Sequence, residues 1–447
     1  MLLKNLLNYP WLLERKITMR LNKIKVGGFK NIAYTILELN NITALVSLNS
    51  FGKSNLLQAI DFGVKFISTS DEGKKHMMSW IKGIPLTKSI ASKDFEIEFE
   101  MQTVVNNNVY NVIYGYQFMW ARDDGTGARI VGEWLKVKFN DKNQKYNQYI
   151  IRTKNTSFYK TSETGRCSNK IIIQPNQLII NKLKAYDSLF YNEIIKEIHN
   201  LDVYIEKHLD ASSSYKPDPF IWTDKETLEI ESSSNMPRVI FHLKKQYPDK
   251  YELLISSFMQ IFPQITDIYV EELIIKHSAK SQIPQDLPIK LTNQLYFINV
   301  TDVNLNQPIN FENMSDGAKR VFLLLACLLL ADINGLPLIA IEEPENSIHP
   351  SLLQSYLRVI SQFSGDCKVI ITSHSPYILQ YLELPSIYIG LPNAEGVAKF
   401  SRIRKSMQKK LINEASNVDM SVGNFIFDLL SGSENDMAEL SRFLEND

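Results

Sequence analysis

The stretch SLNSFGKSN, residues 47–55, restricts what this chain can fold into more than any other. It ends in Gly-Lys-Ser, the tail of the phosphate-binding pattern G-x-x-x-x-G-K-[ST], with Ser47 standing where the pattern has its first glycine. Before it runs NITALV, a β-branched and apolar run that reads as a buried strand. After it runs NLLQAIDFGVKFI, with Leu56, Leu57, Ile60 and Val64 at helical spacing. Strand, tight loop and helix are the context a phosphate loop needs, because successive N–H groups and the helix N-terminus point at one anion. On this reading the phosphate cradle runs over Asn49, Ser50, Gly52, Lys53, Ser54 and Asn55. Lys53 reaches the β- and γ-phosphates, the Ser54 hydroxyl ligates Mg²⁺, and Gly52 permits close backbone approach. Ser47 is small enough for the loop entry if its φ is negative.

Three later segments restrict the reading further. NMSDGAKR (313–320) opens an apolar helix, KRVFLLLACLLL. LPLIAIEEPENSIHP (336–350) is an apolar strand ending in two carboxylates, and KVIITSHSP (368–376) is another ending in a histidine. Each is weak alone; together, in this order after a phosphate loop, they are specific. The chain resembles the ATPase heads of the ABC class, in the branch shared by the RecF, SMC and Rad50 proteins. It is most similar to the AAA-type ATPases related to the OLD family, many of them from bacterial anti-phage systems. GGFKNI (27–32) is similar to the first-strand motif of such heads, and YGYQF and IVGEWLKVK resemble their N-terminal lobe.

The resemblance implies ATP and Mg²⁺ as cofactors and assigns roles by position. Glu342 falls at the Walker B position that orders Mg²⁺ together with Ser54, and Glu343 at the base that polarises the attacking water. His374 matches the switch histidine that senses the γ-phosphate. Ser315 and Gly317 match the signature motif, MSDGA instead of LSGGQ, which in the family binds the γ-phosphate held by the other subunit. NSIH (346–349) falls at the D-loop, with His349 where transporters carry Asp or, equally, as a turn residue against Pro350.

The implied fold class is α/β: a head with a mixed or parallel sheet core, an antiparallel β lobe and a helical insertion. Residues 1–18 form an extension, 19–165 the N-terminal part of the head, and 166–267 the helical insertion. Residues 268–400 form its C-terminal part and 401–447 a helical tail. LFYNEIIKEIHNLDVYIEKHL, within the insertion, reads as one amphipathic helical pattern, and Asn106–Asn108 as a hairpin turn. Heads of the family begin with a strand like MRLNKIKVGGF, so Met19 is an alternative start, with 1–18 otherwise a short docking helix.

Composition limits the partners. Lys plus Arg number 49, as do Asp plus Glu, so no whole-chain electrostatic grip on nucleic acid is expected. A local patch stays open in KFSRIRKSMQKK (399–410), read first as the solvated face of a helix. Three scattered cysteines indicate neither a disulfide framework nor a zinc site. VFLLLACLLLA (321–331) is about half the ~20 apolar residues of a membrane span, so no membrane partner is expected and a cytoplasmic location is. OLD-type nucleases carry a Toprim domain after the head; no strand-borne DxD follows His374 here, so any nuclease is expected in a separate protein.

The expectation is therefore an ATPase whose heads pair as a homodimer or higher homo-oligomer with ATP sandwiched between them. It would regulate or scaffold a separate effector in anti-phage defence. A RecF-type DNA-repair head is the alternative, and a transporter nucleotide-binding subunit the third.

Overall fold

The computed structural model describes residues 19–48, 51–140, 144–206, 215–222, 228, 236–275, 289–346, 348–391 and 395–445. The docking helix considered at 1–18 lies outside these residues, as do Asn49, Ser50 and Ser347. The described chain opens with strands β1 (Met19–Phe29), β2 (Ile32–Glu38) and β3 (Ile42–Ser47), then helices α1 (Lys53–Ser68) and α2 (Asp71–Met78). Strands β4 (Phe95–Val105), β5 (Asn108–Met119), β6 (Arg129–Phe139), β7 (Asn147–Arg152), β8 (Ser157–Tyr159) and β9 (Asn169–Lys170) follow. Next come α3 (Ile179–Leu183), α4 (Asn192–His199), β10 (Val203–Glu206), β11 (Phe220–Trp222), α5 (Met236–Gln246) and α6 (Pro248–Ile261). Then β12 (Ile265–Ile274), β13 (Ile289–Leu291), β14 (Gln294–Asp302), β15 (Ile309–Asn310), α7 (Asp316–Ile333) and β16 (Leu338–Glu342). The last elements are α8 (Pro350–Phe363), β17 (Lys368–Ser373), α9 (Pro376–Leu379), β18 (Ile387–Leu391), β19 (Lys399–Arg402), α10 (Gln408–Asn417), α11 (Val422–Ser431) and α12 (Glu434–Ser441).

Two sheets organise the molecule. The first is antiparallel, in the order β2-β1-β4-β5-β6-β7-β8-β9. Its β4–β5 hairpin turns where the sequence places it: Asn106 and Asn107 have φ of 50° and 62°, the two left-handed positions that suit a two-residue turn. The second has the order β10-β16-β17-β3-β18-β19, parallel except for β19. The chain is thus α/β, with a mostly parallel core sheet and an antiparallel lobe.

Both faces of the parallel sheet are covered, so its strands are apolar throughout. All six residues of β3 are buried. Leu45, Leu338, Ala340 and Ile370 face a core shared with α1 and the antiparallel sheet. Ala44, Val46, Ile339, Ile341, Val369 and Ile371 face α6, α7 and α8. The strand period of two divides neighbours between the two cores. Helix α7 is apolar and buried from Val321 to Ala331, where it lies under this sheet, and no helix among the described residues is long and apolar enough to cross a membrane.

One stretch of the sequence divides differently from its pattern. LFYNEIIKEIHNLDVYIEKHL is not one helix. Helix α4 stops at His199, with Asn200 as its cap, and Val203–Glu206 pairs in parallel with β16 as the edge of the core sheet. Val203 and Ile205 are β-branched and the partner strand offers an open ladder, so tertiary pairing overrides the helical period.

Candidate functional site

The carboxyl ends of β3, β17 and β16, three adjacent parallel strands, carry the phosphate loop, the histidine and the carboxylates. The edge outside the carboxyl ends of such strands is where open α/β sheets bind ligands. Gly52 ends the loop with φ 118°. A Cβ there would lie 2.8 Å from Ala398 Cβ and 3.1 Å from Asn31 Oδ1, so only glycine fits the turn into α1. Asn55 is held beside it, donating to Asn31 Oδ1 at 2.9 Å and accepting from Lys30 Nζ at 3.2 Å.

Lys53 is buried, 7% exposed. Its Nζ lies 3.1 Å from Ser47 O, 3.3 Å from Ser47 Oγ, 3.2 Å from Leu48 O and 3.3 Å from His374 Nδ1. Burial lowers its pKa to about 8, against the opposing pull of the Glu343, Glu342 and Glu345 carboxylates. Lys53 is thus partly deprotonated at mildly alkaline pH, and a bound polyanion would draw its proton back. Nucleotide affinity is therefore expected to fall as pH rises from 8 to 9.5, approaching tenfold per unit at the upper end. Calorimetric titration across that range tests it, and a flat profile would remove Lys53 as the phosphate cation.

Ser47 does more than shape the loop entry, because both its carbonyl and its hydroxyl accept from Lys53. Its φ is not among the positive values, so the missing glycine costs no strain. Ser47→Gly keeps the carbonyl and loses one hydroxyl contact. Affinity for ATP is expected to change by at most about tenfold, about 1.4 kcal/mol. A variant that gains binding which the wild type lacks would overturn the loop geometry.

Ser54 Oγ donates to Glu342 Oε2 at 3.2 Å, so the two predicted metal ligands meet. Glu342 is 8% exposed at the end of β16. Glu343 follows with φ 48°, left-handed for a residue with a side chain, which costs about 1–2 kcal/mol. Its N–H donates to Thr372 O at 3.0 Å. Arg320 Nη2, on α7, donates to the carbonyls of Glu342 at 3.1 Å and Glu343 at 3.0 Å. Strain held from both sides is characteristic of functional positions. The Glu343 side chain is aimed by two groups: Oε1 lies 2.9 Å from His374 Nε2, and Oε2 accepts from Asn346 Nδ2 at 2.6 Å. Burial, then the Lys53 charge, lowers the His374 pKa, so the imidazole is neutral at pH 7. A Lys53 ammonium donating to Nδ1 leaves the ring hydrogen on Nε2, toward Glu343.

Ser315 and Gly317 lie at the N-terminus of α7. Ser315 is an exposed N-cap whose hydroxyl accepts from Ala318 N–H at 3.3 Å. Among the described residues no hydrogen bond or ion pair joins Ser315 or Gly317 to Lys53, Ser54, Glu342, Glu343 or His374. Exposed His349 caps α8, its Nδ1 accepting from Ser351 N–H at 3.3 Å. In the basic run, Arg402 pairs with Glu38 at 2.6 Å and Glu445 at 3.3 Å, and Lys410 with Glu414 at 3.6 Å.

Three participants were not singled out from sequence. Glu345 Oε1 accepts from Ser373 Oγ at 2.6 Å and His374 N–H at 3.2 Å, and burial raises its pKa. It fixes the end of β17. Asn346 aims Glu343, and Arg320 clamps the carboxylate backbone. Glu345 and Arg320 lie inside the motifs at positions for which the pattern specifies no role, and Asn346 opens the segment read as the D-loop.

A family described as "AAA domain, putative AbiEii toxin, Type IV TA system" matches residues 42–380, well over half of the chain. The chain belongs to this family. Its match spans the phosphate loop, the strand-end carboxylates and His374. Among solved structures, an SMC head bound to the C-winged helix domain of ScpA covers 88% of this chain and 99% of its own, at 13% identity and TM-score 0.47. The SMC head domain from Thermotoga maritima covers 86% and 99%, at 12% and 0.39. An Smc head with an extended coiled coil, bound to the C-terminal domain of ScpA derived from Pyrococcus furiosus, covers 89% and 100%, at 12% and 0.44. At these scores the likeness adds nothing to the family assignment.

Proposed function

We propose that the chain hydrolyses ATP with Mg²⁺ as an ABC-type head acting in pairs. The observation that carries this is the meeting of Lys53, Ser54, Glu342, Glu343 and His374 at three adjacent strand ends. The residues fit the cofactors. Helix α1 begins directly after Gly52, so its N-terminal N–H groups suit an anion, and Ser54 Oγ and Glu342 Oε2 are hard oxygen donors suited to Mg²⁺. When bound, Mg-ATP supplies the scissile anhydride and the metal charge that offsets its negative charge.

Lys53 holds the terminal phosphates by charge. Glu343 Oε1 orients a water and takes its proton, and Asn346 keeps the carboxylate from rotating away. His374, neutral and linked to both Lys53 and Glu343, reports whether the terminal phosphate is in place. The exposed Ser315 and the N-terminus of α7 serve the nucleotide of the partner head. Arg320 joins that helix to the Glu343 backbone, a route by which engagement of one reaches the other.

For the biological role we propose control of a separate effector in a bacterial defence setting. The family description, which names a putative toxin of a type IV toxin–antitoxin system, supports the setting and not the separate effector. The test of the core reading is phosphate release from ATP by the purified protein. Release is expected to require Mg²⁺ and to vanish on chelation. Absence of Mg-dependent release at any protein concentration would overturn it.

A further inference from the structure

A second cleft opens at the opposite end of the same strands. Strand β3 begins in it at Ile42 and ends at Ser47 beside Lys53; β17 begins in it at Lys368 and ends beside His374. The cleft measures about 850 Å³, within the range of small-molecule sites. Its lining carries Arg20, Arg358 and Lys368, from three separate elements, against one carboxylate, Glu383. Asp366, near Lys368, lies outside the lining.

The cations are not explained by the fold. Neither Arg20 nor Arg358 is in an ion pair among the described residues, and the Arg20 Nε is shut off from solvent without a hydrogen-bond partner. Lys368 is 4% exposed and donates to Asn41 Oδ1 at 3.2 Å. Burial, and then the neighbouring Arg20 charge, depresses its pKa. Asp366 pulls on Lys368 in the opposite direction, and an anion joining Arg20 and Lys368 would relieve the repulsion between them.

We propose that this cleft binds a phosphate-bearing small molecule of mononucleotide size. Two net positive charges in the lining match a phosphate monoester, which carries about −1.5 to −2 at neutral pH. Arginine forks suit its oxygens. The rest of the lining suits a sugar or base: the amides of Asn22, Gln354, Gln362 and Gln380, and the partly exposed ring of Tyr381. Binding here would load the starts of β3 and β17, whose far ends hold the phosphate loop and His374.

The probe is AMP, titrated by calorimetry into the full chain and into its Lys53→Ala variant. Both are expected to bind it, with inorganic phosphate competing and adenosine giving no heat. Arg358→Gln, at an exposed position, and Arg20→Gln should each weaken AMP by about tenfold or more. Loss of AMP binding in Lys53→Ala would place it at the phosphate loop and overturn the proposal. So would an affinity unchanged by Arg358→Gln, or no binding of AMP or phosphate at millimolar concentration. Arginine-dependent binding of single-stranded DNA without binding of AMP would also reject a small-molecule site.

Discussion

Glu343→Gln is expected to lower ATP turnover by about 10²–10⁴-fold while nucleotide still binds. Glutamine keeps the shape and the oxygen that Asn346 approaches, but its amide nitrogen then faces the His374 Nε2 hydrogen, so the contact with His374 is lost along with the base. What it removes is proton affinity. The Lys53 charge and the Ser54–Glu342 pair stay intact, so the grip on phosphate is retained. A head that binds without turning over should accumulate as a closed pair. Sedimentation with and without ATP should therefore show a larger species in the variant, and only with nucleotide. The pairing of Glu343 with His374 gives a second reading of the same experiment. If the histidine only reports phosphate, His374→Gln should slow turnover less than Glu343→Gln. A Glu343→Gln enzyme with an unchanged rate would remove Glu343 as the base.

Much of this site was legible because its chemistry is local in sequence. Lys53 and Ser54 sit in the loop that positions them, and Glu342, Glu343 and His374 each end an apolar run. Such a run declares a buried strand, and its last residues fall at the sheet edge without any knowledge of neighbours. What the sequence hid depends on which strand lies beside which. Glu345 acts only because β17 is next to β16, so its carboxylate meets Ser373 and the His374 N–H. Arg320 acts only because α7 runs under the end of β16. Val203–Glu206 satisfies a helical period and a strand period alike, and the open edge of β16 decides between them. The amino-edge cleft is more remote still, since Arg20, Arg358 and Lys368 share no motif and come from one strand of each sheet and a helix.

The largest separation between competing mechanisms is expected from two variants that fail for different reasons. Lys53→Ala should lose the phosphate grip of its own head. Ser315→Asp should bind nucleotide but lose hydrolysis by about 10²–10³-fold, the cost of removing one preorganised anion contact. Aspartate is chosen because it keeps the helix cap that Ser315 provides, and a negative charge at a helix N-terminus is favourable to folding. Helix α7 therefore stays formed, while the new charge repels any phosphate brought to it. An alanine there would confuse a lost cap, about 1 kcal/mol, with a lost contact. Mixed in equal amounts, the two inactive proteins form some hybrid pairs. In each hybrid one composite site carries both lesions. The other combines an intact phosphate loop with an intact Ser315. Because pairing depends on nucleotide and the Lys53→Ala head grips none of its own, recovery is expected up to about a quarter of the wild-type signal, the value when half of the pairs are hybrids with one working site of two. Phosphate release is read in a single turnover, so that coupling across successive cycles does not mask the first event. A site confined to one head predicts no recovery at any ratio, because neither variant contains a complete one. Among the described residues Ser315 bonds within the cap of α7, while Lys53 contacts His374, His374 contacts Glu343, and Ser54 donates to Glu342. A Ser315→Asp protein that hydrolyses ATP at the wild-type rate would sink the shared-site mechanism, leaving the cluster around Lys53 as a self-contained ATPase.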